Sequence, residues 1–256
     1  MSSISSRKYS QSVSGSGPEK ARPAAVLRRW EDLPDFMRIP EVRPYYESLR
    51  EKRVQLVLKR AFDIAAALVL LLVLCVPMLL TAAWIRLDSP GCPVYRQERA
   101  TVYGKHFRIH KFRTMTADAD CAGPLLTVRR DPRITRAGRL LRRHHLDELP
   151  QLLDVLAGNM SFVGTRAEVI PIVERYRPEY YATLLLPAGI TSEASIRYRD
   201  ECRLLADAAD ADAVYLHEIL PAKMRWNLAS IRRYRFPREF MTILRTVFTV
   251  FGKEYR

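Results

Sequence analysis

Two adjacent carboxylates, Asp147 and Glu148, lie in the stretch HHLDELPQLLDVLAGNMSFVGTR at residues 144–166, the part of the chain best equipped for chemistry. Pro150 follows closely, and proline suits the first turn of a helix, where its missing N–H has no intrahelical partner to lose. Leu149, Leu152, Leu153 and Leu156 then recur at helical spacing, and Gly158 closes the segment. The pattern predicts a helix with Asp147 at its N-cap and Glu148 in its first turn. Such a helix end carries free N–H groups and partial positive charge, a favourable place for a phosphate. The plainer alternative is that Asp147 only caps the helix, as Asp commonly does. Upstream, Arg133, Arg136, Arg139, Arg142 and Arg143 form a dense basic cluster that would serve either an anion beside the carboxylates or simply solvent. Asp131-Pro132 marks a turn before the cluster, and Thr135 is a suitable N-cap for a helix through Arg143.

Short alternations in VYRQER and HFRIHKFRTM suit two strands of a small sheet joined through Gly104. Phe107, Ile109 and Lys111 would share one face, with Arg108, His110 and Phe112 on the other. Lys111 and Arg113 are candidates for phosphate contact, or are solvated strand residues. Residues 116–130 read as a loop. Beyond the central stretch, residues 214–251 read as helical, with Pro221 and Pro237 at boundaries. Phe240, Ile243, Leu244, Val247, Phe248 and Phe251 make an apolar stripe for a core or a bilayer surface. Asp200 and Glu201 are also adjacent, but no basic cluster leads into them, and they read as surface charge.

The 256 residues carry a formal charge of +14, from 42 Lys plus Arg against 28 Asp plus Glu, which implies an anionic partner. Nucleic acid is the weakest candidate, because no reading helix or base-stacking motif is present. Cys75, Cys92, Cys121 and Cys202 show no C-x-x-C spacing, so neither a metal site nor a disulfide framework is expected.

Residues 64–85 contain no charge and are long enough to cross a ~30 Å hydrocarbon core. Pro77 interrupts the run, and both flanks are basic: Arg53, Lys59 and Arg60 before it, then Arg86, Arg96 and Arg99 after it. A basic flank prefers the cytoplasm. A helix that breaks at Pro77 and returns satisfies both flanks, whereas an ordinary kinked span satisfies one, and the pattern leaves both open. Asp63 is spaced to pair with Arg60 at the membrane boundary. The resulting division is a disordered basic tail at 1–41, a juxtamembrane helix and membrane helix at 42–87, and a soluble domain at 88–256. Residues 42–60 are expected on the membrane surface.

The order KRAFD, interrupted apolar helix, QER, KFRTM, DPRITRAGRLLRR, LDELPQL and GNMSFVGTR resembles the bacterial polyprenyl-phosphate sugar transferases, the monotopic phosphoglycosyl transferases. The resemblance covers residues 59–256. It implies an α+β, mostly helical fold: a monotopic membrane protein with a Pro-broken re-entrant helix and a small cytoplasmic catalytic domain at the bacterial inner membrane. The implied reaction moves a sugar 1-phosphate from a UDP-sugar to polyprenyl phosphate and releases UMP, at the start of exopolysaccharide, capsule or glycoconjugate synthesis. The family's nucleophile corresponds to Asp147, paired with Glu148, and Mg²⁺ would be held at Asp147. Lys111, Arg113, Arg133, Arg136, Arg142, Arg143 and Arg166 fall where substrate phosphates would be bound, and Arg60, Asp63 and Pro77 where the chain meets the membrane. The departures are Gly164-Thr165-Arg166-Ala167 in place of G-P-R-P, an alanine inserted at Ala188 with Ser192 for a glycine, and Thr101 for another glycine. They keep a second possibility in view: a silent homologue acting as a membrane scaffold.

Overall fold

The apolar run folds into the middle of one long helix in the computed structural model, which describes residues 27–116, 131–199 and 210–250. The loop expected at residues 116–130, beyond Thr116, and the Asp200–Glu201 pair lie outside the described residues. Helix α1 (Arg43–Arg50) leads into α2 (Arg53–Asp88), which is 36 residues long and carries Pro77 inside it. The break expected at Pro77 is therefore not present. Proline removes one backbone hydrogen bond, but packing holds α2 on both sides of it. Ala67, Leu71 and Leu74 meet one core cluster, while Met78, Ala82 and Ile85 meet another. The Thr81 hydroxyl donates to the Pro77 carbonyl at 2.8 Å, a back-bond that favours bending without ending the helix.

Polar anchors fix α2 at each end. Near its start, Arg60 donates to the carbonyls of Val155 and Leu156 at 2.6 and 2.9 Å. Asp63 accepts from the Phe162 amide, and buried Lys59 reaches Glu239 at 2.5 Å and the Val163 carbonyl at 2.9 Å. Arg60 and Asp63 thus bind separate backbone groups in place of the expected mutual pair. At the other end, Asp88 accepts from the Ala137 amide at 3.0 Å. The outer face of α2 is apolar and bare: Leu72 is 82% exposed and Leu87 87%.

Strands β1 (Val94–Ala100) and β2 (His106–Phe112) pair antiparallel, from Val94 opposite Phe112 to Ala100 opposite His106. Tyr103 (φ 57°) and Gly104 (φ 74°) make the turn. Thr135 caps α3 (Arg136–Arg143) by accepting from the Gly138 amide, as the sequence predicts. A single 3₁₀ turn, Leu146–Glu148, precedes α4 (Gln151–Leu156) and β3 (Met160–Val163). After α5 (Ile170–Val173) and a 3₁₀ segment, Pro178–Leu185, strand β4 (Ala188–Thr191) pairs parallel to β3. The backbone just beyond β3 runs so close to β4 that a Cβ on Gly189 would lie 2.1 Å from the Gly164 nitrogen. Glycine is required there for contact distance alone.

Helices α6 (Glu193–Arg197), α7 (Ala211–Val214), α8 (Leu220–Arg232) and α9 (Phe236–Val250) complete the chain, with a π turn, Tyr215–Ile219, leading into α8. Pro221 and Pro237 fall in first turns, as expected. The larger core corrects the reading of the N-terminal region. Leu27, Leu33, Phe36 and Met37, assigned by sequence to a disordered tail, are buried with Tyr45, Tyr46 and Leu49 of α1. Packed between the Pro178–Leu185 segment and α8, the apolar face of α1 belongs to the core and not to a bilayer surface. A composition rich in Arg and Pro masks these few buried anchors, which are too sparse to show periodicity.

Candidate active site

A tight corner presents the two carboxylates. His145 adopts the left-handed conformation (φ 55°) that ends α3, an uncommon state for a residue with a side chain. The corner throws Leu146–Glu148 into its 3₁₀ turn, so Asp147 precedes α4 instead of capping it, and Pro150 takes the N-cap position. Asp147 is 9% exposed. Burial, then the neighbouring Glu148 charge, push its carboxyl upward, while Lys111, Arg142 and His145 oppose the shift.

Glu148 behaves differently although it is adjacent. The Lys111 ammonium donates to its Oε1 at 2.8 Å, and an Arg166 guanidinium nitrogen lies 3.5 Å from the same oxygen. Burial works against its charge, but Lys111 and Arg166 prevail and hold its carboxyl at about 2. Lys111 loses basicity by burial and by repulsion from Arg166, and regains part of it from Glu148 and Asp147. The result is a fixed, ionised glutamate beside an aspartate whose charge is sensitive to what binds next to it.

The profile of the bacterial sugar transferase family matches residues 54–253. The chain belongs to this family. Among its relatives, an exopolysaccharide production protein, PSS, of Rhizobium leguminosarum bv. phaseoli is 45% identical over 151 residues, covering 56% of this chain and 76% of that protein. The UDP-glucose:undecaprenyl-phosphate glucose-1-phosphate transferase of Caulobacter vibrioides is 43% identical over 143 residues, 54% of this chain and 53% of the relative. A UDP-N-acetylgalactosamine-undecaprenyl-phosphate N-acetylgalactosaminephosphotransferase of Aeromonas hydrophila is 30% identical over 206 residues, 79% of this chain and 46% of the relative.

The basic residues of this sugar transferase divide by position. Lys111, Arg142 and Arg166 converge on the carboxylates, with Arg142 also donating to the Thr114 hydroxyl at 2.8 Å. Arg133 grips Asp131 through Nε and a terminal nitrogen. Arg136 and Arg143 stand on the exposed side of α3. Arg113 turns to the base of α2, donating to the carbonyls of Pro90 and Ser89 at 2.5 and 2.6 Å. Arg99, which sequence reading placed among flanking charges, backs the site. It holds the Ala167 carbonyl at 2.9 Å, and burial followed by repulsion from Arg166 lowers its basicity.

Two of the departures from the family pattern meet in space. The Thr101 hydroxyl donates to the Asn159 carbonyl and accepts from the Ala188 amide at 3.2 Å. The hydroxyl thus ties the residue after β1 to the start of β4.

Proposed function

We propose that this sugar transferase moves a sugar 1-phosphate from a UDP-sugar to polyprenyl phosphate in two displacements at Asp147. The observation that carries the reading is the buried Asp147 beside a Glu148 pinned by Lys111 and Arg166. In the first displacement an Asp147 oxygen attacks the donor's β-phosphorus. The bond from that phosphorus to the bridging oxygen breaks, and UMP leaves with the electron pair. A sugar phosphate remains on the carboxylate. A phosphate oxygen of the lipid then attacks the same phosphorus, forming polyprenyl-diphospho-sugar and restoring Asp147. Lys111, Arg142 and Arg166 orient the donor phosphates and oppose the charge that develops on them. The relatives named for undecaprenyl-phosphate transfer support the substrates of this reading.

Magnesium suits this site. It prefers one or two carboxylates, with phosphates and water completing its shell, and Asp147 and Glu148 are adjacent carboxylates beside the bases that would face those phosphates. Asp147 would hold the ion, which would supply neutralising charge to the diphosphate.

The membrane disposition belongs to the same proposal. Both ends of α2 fasten to one globular body, which favours a monotopic arrangement with the catalytic domain on the cytoplasmic side of the inner membrane, where UDP-sugars are made. Eleven large apolar side chains from Ile64 to Leu87 are exposed on α2. At ~1.5–3 kcal/mol for each fully transferred side chain, their partial exposure favours a lipid phase by on the order of 10 kcal/mol or more. Thr101, bonded to Ala188 and Asn159, argues that two of the departures are accommodated by packing, which counts against the silent-scaffold alternative.

The test is UMP release by detergent-solubilised protein with polyprenyl phosphate, Mg²⁺ and a panel of UDP-sugars, with Asp147→Asn alongside. Lipid- and magnesium-dependent release with one donor, absent in the variant, is expected. Release that survives Asp147→Asn would remove the nucleophile from this account.

A further inference from the structure

A second site lies across the β3 extension from the carboxylates. Arg166 faces Glu148, while Val163, Gly164 and Thr165 wall a separate cavity of about 410 Å³ between α8 and α9. The cavity is far larger than a water site and is bordered by four arginines: Arg233, Arg235, Arg238 and Arg245. Its two acids are already engaged. Glu193 bonds Arg197 at 3.0 Å and Arg245 at 3.2 Å, and Glu239 takes Lys59. Among the described residues Arg233, Arg235 and Arg238 form no ion pair, and all three are exposed. The lining therefore carries more positive charge than its two acids match.

Two exposed apolar side chains, Met241 and Trp226, border this charge. On α9, Arg238, Thr242 and Arg245 follow one another at i, i+4 and i+7 and face the cavity. Phe240, Leu244 and Val247 follow the same spacing on the opposite face, away from the cavity, and are 41%, 52% and 46% exposed. Met241, 52% exposed, lies between the two faces and lines the cavity. Across the mouth, Trp226 is 39% exposed, with the Arg197 guanidinium 3.8 Å from its ring centre. Phe236 and Phe240 pack on Phe62 of α2 at 6.1 and 4.8 Å, just before the apolar run begins. In the membrane disposition proposed above, this end of α9 lies near the level where α2 meets the bilayer surface, with exposed arginines around the mouth and Met241 and Trp226 at its lip. That arrangement matches an anionic amphiphile with its phosphate among the arginines and its chains leaving past Met241 and Trp226.

We propose that the α8–α9 cavity binds the phosphate headgroup of an anionic membrane phospholipid, distinct from the lipid that accepts the sugar phosphate. The bound headgroup neutralises the arginine surplus and holds α9 against the bilayer. Because Val163, Gly164 and Thr165 line the cavity and lead directly into Arg166, occupancy also steadies the segment that carries Arg166.

Trp226 offers a local readout. Full-length protein is placed in nanodiscs of phosphatidylglycerol or of phosphatidylcholine, each with brominated acyl chains, and the fluorescence of Trp226→Phe is subtracted from that of the parent. Stronger quenching of Trp226 in the phosphatidylglycerol discs is expected. Arg233→Gln/Arg235→Gln/Arg238→Gln should reduce that difference to the phosphatidylcholine level with unchanged thermal denaturation, and should weaken binding to phosphatidylglycerol vesicles roughly tenfold or more. The corresponding triple lysine variant should retain most of the binding. Equal quenching by both lipids, or quenching indifferent to the glutamine changes, would overturn the proposal. So would displacement by a UDP-sugar, which would make the cavity a nucleotide site, or by polyprenyl phosphate, which would make it the acceptor's. None of these readouts depends on turnover, so failure of the catalytic proposal would be seen separately.

Discussion

Replacing Lys111 by Met removes the ammonium 2.8 Å from Glu148 Oε1 and leaves a carboxylate whose side chain is only 14% exposed. At that separation the direct attraction is about 6 kcal/mol at an effective dielectric of 20. Arg166 remains, but it is farther away at 3.5 Å and its side chain is 40% exposed, so solvent screens it. Breaking one side of a buried pair costs about 3–5 kcal/mol. The 17% exposure of the Lys111 side chain places this case at the lower end, about 3 kcal/mol. Glu148→Gln should cost a similar amount by stranding the lysine. The double variant should cost less than the sum of the two by about 2–3 kcal/mol, because neither charge is then left alone. Guanidinium denaturation in mild detergent, followed by circular dichroism on all four proteins, gives the cycle, and UMP release gives the accompanying loss of rate. A Lys111→Met cost below about 0.5 kcal/mol, or additivity within that margin, would refute the view that this pair holds the site together.

Gly138→Ala should destabilise even though alanine is the better helix former, because the new Cβ would lie 2.0 Å from the Thr114 carbonyl oxygen. A loss of roughly 2 kcal/mol or more is expected from the displaced helix, read as a lower denaturation midpoint. Arg113→Met should lower stability by about 2–3 kcal/mol through its lost bonds to Ser89 and Pro90, while the donor KM of the folded enzyme stays unchanged. Tyr45 donates to Glu179, and burial followed by that hydrogen bond pushes its hydroxyl up to about 12. Its folded value exceeds the unfolded value near 10, so its contribution is complete below pH 10 and lost as pH rises toward 12. Tyr45→Phe should flatten the fall of stability across that interval in an alkaline denaturation series.

Local grammar made much of the site readable. Thr135 announced α3, the alternation around Gly104 announced the β1–β2 hairpin, and the prolines at 221 and 237 marked first turns. Lys111 and Arg166, expected at substrate phosphates, lie against Glu148. What escaped depends on partners distant in sequence. Whether Arg113 binds a phosphate or the Ser89 and Pro90 carbonyls is decided by where α2 ends. Arg99 looks like one more basic flank until Ala167 folds over it. His145 has no signature of its left-handed turn, because the corner between α3 and the 3₁₀ turn imposes it. Pro77 misled in the opposite direction: its local rule favours a break, and the packing of Leu74 and Met78 on either side overrides it.

Helix α2 is 36 residues and so about 54 Å long. It is pinned near one end through Arg60 and Asp63 and at the other through Asp88. Such a helix works as a keel. In the proposed bilayer setting it would fix the height of Asp147 above the lipid tails, leaving the protein free to drift and spin in the leaflet but not to bob. The lipid substrate then needs to find the nucleophile only by sliding in two dimensions. Its elongated product departs the same way, sideways, to whichever enzyme in that leaflet takes it next.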